Sequence, residues 1–125
     1  QHIDSTIVLI KNLVKKYRIN KSNILGHSDI APDRKKDPGE KFPWEYFARK
    51  KLCIWHNIKQ KELKKFRRKN CKFSQKREFS NNLIKIGYRA KNLAKAVKAF
   101  QRRFRPQLID GKTDQECLKI SQKLI

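Results

Sequence analysis

The chain has 125 residues, with 33 Lys and Arg against 11 Asp and Glu, a net charge of +22 at neutral pH. Its longest apolar run, Ile7-Val8-Leu9-Ile10, is too short to span a bilayer, and a hydrophobic content of 38% with 10% aromatics argues against a fully disordered basic tail. Four Gly and four Pro exclude collagen-like or Pro-rich stalks, and three Cys, an odd number, do not make a disulfide-stapled mini-protein.

The charge is uneven. Residues 1–48 hold 9 basic and 6 acidic residues, 49–78 hold 13 and 2, and 79–125 hold 11 and 3. The middle has few apolar anchors and reads as a connector between two more balanced pieces. A field this positive attracts polyanions, with nucleic acid, anionic envelope polymers and acidic lipids as candidates. The alternative is a surface merely solvated by lysine. No Met occurs and the chain opens at Gln1, so a processed or cropped piece of a longer protein is expected.

In chain order, Ile3, Ile7, Ile10, Val14 and Tyr17 follow helical spacing and predict an amphipathic helix over 4–18. Ile24-Leu25-Gly26 predicts a short buried strand. Ser28 to Gly39 is turn-rich, and Pro43 opens a helix through Trp44, Phe47 and Leu52. Residues 59–69 lack a clear apolar stripe. Ser80 is expected to cap a helix that stops at Gly87. Leu93, Ala96, Val97, Phe100 and Phe104 form a helical stripe ended by Pro106. Thr113-Asp114-Gln115-Glu116 fits a capping box for a last helix burying Cys117, Ile120 and Leu124. One helix, one strand and a further helix cannot satisfy a strand's backbone, so residues 1–52 are expected to be the end of a larger α/β domain.

Candidate chemistry concentrates between Gly26 and Gly39. Imidazole and carboxylate are both zinc ligands, and a turn-rich excursion of ten residues can bring His27 and Asp37 to one metal. Extended chain has a side-chain period of two, so Lys35 points the same way as Asp37 and suits an oxyanion stabiliser. The alternatives are a hydrogen-bonded structural His27 and a solvated Lys35. Asp29 and Asp33 read as turn or cap residues, and His2 and His56 as surface residues. Trp55 among basic neighbours either stacks on a ring or packs the linker. The cysteines lack metal-ligand spacing. Cys117 reads as helical core, and a Cys53–Cys71 disulfide requires an oxidising compartment.

The segment from Gly26 to Trp44, G-H-S-D-I-A-P-D-R-K-K-D-P-G-E-K-F-P-W, resembles the C-terminal motif of the type-2 N-acetylmuramoyl-L-alanine amidases, in the pattern H-x-D-I-A-P-x-R-K-x-D-P-G followed by F-P-W. The resemblance implies an α/β zinc hydrolase that cuts the amide between the muramic lactyl group and L-alanine. It places His27 and Asp37 on two zinc ligands and Lys35 on the catalytic lysine. A further ligand histidine and the catalytic glutamate are expected upstream of Gln1, so this chain alone is expected to be inactive. Residues 83–125 resemble the peptidoglycan-binding domain that follows such amidases, through Ile86-Gly87-Tyr88, the run Ala96 to Phe104, and Ile109-Asp110-Gly111. Tyr88, Gln101 and Arg102 are its expected groove residues, since their polar tips can meet sugar hydroxyls or peptide carboxylates.

Together these readings predict a mostly α chain. Residues 1–52 form the C-terminal part of an α/β amidase domain (one short strand plus helices), 53–78 a basic connector, and 79–125 a small three-helix bundle that binds peptidoglycan. The expected cofactor is zinc and the expected partners are peptidoglycan or muropeptides, in the bacterial envelope (periplasmic or outer-membrane associated, with the cytoplasm as the alternative). The rival function is a non-catalytic basic protein that binds peptidoglycan or nucleic acid.

Overall fold

The apolar spacing of the first segment produces helix α1, His2–Tyr17. A computed structural model describes residues 2–125, apart from the side chain of His2, so the surface reading of that imidazole lies outside the described residues. Ile7 is buried on α1, while Val8, Leu9 and Tyr17 are exposed. The expected strand over 24–26 does not form. The backbone of Ile24 and Gly26 is extended, yet among the described residues no strand is present, and pairing is limited to an isolated bridge between Asn70 and Asp114. A strand exists only through a partner that takes its backbone N–H and C=O groups.

The chain divides into two compact units, Gln1–Leu25 with Pro43–Trp55, and Gly26–Phe42 with His56–Ile125. In the first unit, Pro43 stands one residue before helix α3, Trp44–Arg49. Trp44, Phe47, Leu52 and Cys53 supply buried apolar surface. Lys51 takes a positive φ of 61°, and the Leu52 amide reaches back to the Phe47 carbonyl at 3.1 Å, a Schellman-type end to α3. The Cys53 thiol faces the Trp44 carbonyl at 3.4 Å, and Tyr46 donates to Asp4 at 3.4 Å.

The second unit holds two short helices, α2 (His27–Ile30) and α4 (Gln60–Leu63), and three longer ones, α5 (Phe73–Ile86), α6 (Leu93–Phe104) and α7 (Gln115–Leu124). Helix α5 starts seven residues before the expected Ser80 cap, because the Gln75 side chain folds back to accept the Lys72 amide at 2.7 Å. It stops where expected: Gly87, at φ +124°, and Tyr88 both return their amides to the Leu83 carbonyl, at 3.0 and 2.9 Å. Asn92 caps α6 by accepting the Lys95 amide, and Asp114 caps α7 by accepting the Cys117 amide. Phe100 is fully buried between Phe79, edge-on at 5.1 Å, Phe104 at 5.2 Å and Tyr88 at 6.3 Å.

These units cut across the stretches 1–52, 53–78 and 79–125. Most of the basic middle belongs to the second unit rather than forming a free tether. Leu63 is 1% exposed, and Arg67 grips Glu116 with Nε and Nη2 at 2.8 and 2.9 Å. Glu116, the expected capping-box partner, is instead a fully buried ion partner of Arg67 and Arg105. His56, expected at the surface, is 4% exposed and accepts the Ile58 amide on Nδ1 at 3.0 Å. Burial pulls its pKa down from 6.5 to about 4, against the opposing field of Glu116. All three cysteines are buried and none is in a disulfide, so the Cys53–Cys71 bridge does not form. Burial pushes the Cys117 thiol up to about 12.

Candidate active site

The loop from Gly26 to Phe42 carries the motif. Its ends meet where the Ser28 amide donates to the Asp37 carbonyl at 2.9 Å. This bond brings the neighbouring His27 and Asp37 side chains to one place: Nδ1 and Oδ2 lie 2.7 Å apart, with the side chains 69% and 62% exposed. The His27 contact, joined by the nearby charge of Lys35, holds the Asp37 carboxyl below its usual value of 3.8. Asp37 is therefore an open, ionised carboxylate at neutral pH.

The other polar residues of the loop anchor it. Asp29 Oδ2 accepts the Gly26 amide at 3.0 Å and the Arg103 guanidinium at 2.7 Å, while Oδ1 accepts the Tyr88 hydroxyl. Asp33 accepts the amides of Lys91 and Asn92 at 3.0 and 3.3 Å, and its carbonyl takes Lys95 Nζ at 3.1 Å. Ser28 Oγ takes Arg102 through Nε and Nη2, at 3.1 and 2.9 Å. Asp29 and Asp33 are thus structural, as their sequence positions suggested, but they tie the loop to distant residues rather than only closing local turns.

The expected groove residues do not act as a group. Tyr88 is 3% exposed and spends its hydroxyl on Asp29, and burial beside that carboxylate raises its pKa. Gln101 is fully buried, with its amide bonded to Asp110, the Lys112 carbonyl and the Gly111 amide. Both brace the interior and face no groove, because buried polar tips are satisfied internally. Arg102 alone borders open space. It lines a cleft of about 570 Å³ together with Lys35, Lys36, Lys95 and Lys98. The sequence signal for this cleft is the spacing of Lys95, Lys98 and Arg102, which places them on one face of α6.

Zinc needs three protein ligands and an open position for catalysis. His27 and Asp37 are two suitable donors already in contact and open to solvent. Among the described residues no third His, Cys, Asp or Glu joins them. The pair fits a partial zinc site. No helix among the described residues is long and apolar enough to cross a membrane.

Residues 1–40 match the family model described as N-acetylmuramoyl-L-alanine amidase. The N-acetylmuramoyl-L-alanine amidase AmiD of Escherichia coli is 30% identical over 98% of this chain, which covers 47% of that protein. The structure of E. coli AmiD with the substrate anhydro-N-acetylmuramic acid-L-Ala-D-γ-Glu-L-Lys matches 98% of this chain and 50% of its own, with a TM-score of 0.81 and 30% identity. AmpDh3 of Pseudomonas aeruginosa in complex with anhydromuramic pentapeptide matches 98% and 51%, with a TM-score of 0.75 and 29% identity. The chain therefore spans about half the length of the relatives it matches. Along nearly its whole length it is similar to N-acetylmuramoyl-L-alanine amidases, and it is mostly helical and matches part of an amidase fold.

Proposed function

We propose that this chain is part of a zinc-dependent peptidoglycan hydrolase that cuts the amide between N-acetylmuramic acid and L-alanine. The observation that carries the reading is the contact of His27 Nδ1 with Asp37 Oδ2, 2.7 Å long and open to solvent, inside the motif loop. His27 and Asp37 hold the zinc, and further donors come from protein outside the described residues. Zinc, when bound, polarises the amide carbonyl and lowers the pKa of its water. Lys35 would donate a hydrogen bond to the amide oxygen as negative charge grows on it. Asp37, ionised at neutral pH, is ready to ligate without first losing a proton. Arg102, Arg103 and Tyr88 hold the loop in register through Ser28 and Asp29.

Residues 53–78 serve as a basic connector that is largely packed into the same unit as 79–125, and 79–125 serves as the wall-binding module, which raises the local concentration of the enzyme on an insoluble substrate. The setting is the bacterial envelope. The nucleic-acid alternative gains nothing from these relatives, whose bound molecules are muropeptides.

The test compares this chain with a longer protein that includes the missing donors, on purified muropeptide. The longer protein is expected to release L-alanyl peptide in a zinc-dependent manner, and His27→Ala, Asp37→Asn and Lys35→Ala in it to abolish turnover. The isolated chain is expected to be inert. Turnover by the isolated chain, or full activity of the substituted longer protein, overturns the reading.

A further inference from the structure

Three arginines of one short stretch meet different fates. Arg103 donates to the Asp29 carboxylate at 2.7 Å, and Arg105 to Asp114 and Glu116 at 2.6 and 2.9 Å. Arg102 is only 9% exposed, yet Nε and Nη2 both go to the neutral hydroxyl of Ser28. Among the described residues no carboxylate stands within 4.0 Å of it. A guanidinium has five N–H donors, and a nearly buried one without a counter-charge is costly.

That guanidinium borders the 570 Å³ cleft. Lys95 and Lys98 reach the same cleft from the preceding turns of α6, and Lys35 lines it from the motif loop. Among the described residues Lys95 Nζ bonds to the neutral Asp33 carbonyl at 3.1 Å and forms no ion pair. The stem of Lys98 lies across Gly111. A Cβ built on that glycine, which holds φ at +73°, would meet Lys98 Cε at 3.0 Å and Cγ at 3.3 Å. The missing side chain in Asp110-Gly111 therefore serves the placement of a cation as well as a turn. Of the two acids at the cleft, Asp33 already accepts two backbone amides, which leaves Glu40 as the remaining carboxylate.

We propose that this cleft is a carboxylate-binding site, built by Arg102, Lys95 and Lys98 of α6, for the peptide stem of the substrate. The inference rests on the reading that the chain acts on peptidoglycan and adds which part of the substrate α6 holds. A γ-linked glutamate keeps its α-carboxylate, and the stem ends in another, so the stem offers two anions at peptide spacing. Carboxylates match the planar guanidinium of Arg102 and the two ammonium groups beside it. Lys35 lies at the same cleft, so a stem held there sits beside the motif loop.

The test is calorimetric titration of the full chain with L-Ala-D-γ-Glu-L-Lys and with the same peptide amidated at its carboxyl groups. The acid form is expected to bind at least about tenfold tighter than the amide form. The double substitution Lys95→Ala with Lys98→Ala should cost the acid form about tenfold and the amide form little, while Lys123→Ala on α7 changes neither. Gly111→Ala, by displacing the Lys98 stem, should weaken the acid form in the same direction. Equal binding of acid and amide forms, an unchanged double variant, or equal competition by an oligonucleotide at matched charge would overturn the site. Co-sedimentation with purified peptidoglycan at about 0.5 M salt separates the two readings. Retained co-sedimentation without acid-over-amide preference sinks the cleft alone, whereas muropeptide that the longer protein fails to cleave sinks the amidase reading.

Discussion

The His27–Asp37 contact and the Arg105–Asp114 contact differ by a tenth of an ångström, 2.7 against 2.6 Å. Their surroundings differ completely. His27 and Asp37 stand 69% and 62% exposed, whereas the side chains of Arg105 and Asp114 are 0% and 6% exposed. Water screens the first pair, so it adds little to stability and its lone pairs remain open to an incoming cation. The second pair sits in a network with Glu116 and Arg67, where every carboxylate is satisfied by guanidinium or backbone N–H groups. Contact length says nothing about use. Burial decides whether an ion pair is an open ligand set or a structural brace.

Removing one member of each cluster should separate these uses. Glu116→Ala leaves Arg67 and Arg105 facing each other without their shared carboxylate, and should cost about 3–5 kcal/mol in urea denaturation. A loss near zero would mean that the network is not a brace. Acidification probes the same interior through His56. Its pKa is near 4 in the folded chain and near 6.5 when unfolded, so the unfolded state binds the extra proton between those values. Stability is therefore full above about pH 6.5 and falls as the pH drops towards 4, by about 2 kcal/mol between pH 7.5 and pH 5. Urea titrations across that range should show the loss, and His56→Gln should flatten it.

Asn92→Ala removes the side-chain acceptor at the start of α6 and should lower stability by about 1 kcal/mol, with the same urea midpoint as the readout. At the exposed pair, Asp37→Asn should leave the melting temperature unchanged while weakening zinc binding measured by competition with a chromogenic chelator. The sign with pH also follows from the lowered Asp37 pKa. The ionised form holds at neutral pH and is lost only as the pH falls through a value below the usual 3.8. A large thermal shift in Asp37→Asn would make the exposed pair a structural brace like the buried one.

Much of the helical layout was legible in the residues. The spacing of Leu93, Ala96, Val97, Phe100 and Phe104 describes α6, Gly87 ends α5, and Asp114 caps α7, because these features act within a few residues of themselves. The meeting of His27 with Asp37 was also expected from the motif. The strand over 24–26 and the helix start at Ser80 were misread for opposite reasons. A strand depends on a partner elsewhere in space, whereas α5 opens at Lys72, a residue outside the usual N-cap set, with Gln75 three positions on accepting its amide.

The local pattern of this chain determined its helices, their caps and the motif that brings an imidazole to a carboxylate. It could not distribute roles among Arg102, Arg103 and Arg105, which look interchangeable in the sequence. Only the fold decided that Arg103 meets Asp29 and Arg105 meets Asp114 and Glu116, while Arg102 borders a cleft and, among the described residues, forms no ion pair. The same holds for Tyr88 and Gln101, whose polar tips suited a groove but are bonded inside. Helix and turn propensities are short-range, whereas the partner of a charge and its exposure to water are set by residues up to 74 positions away.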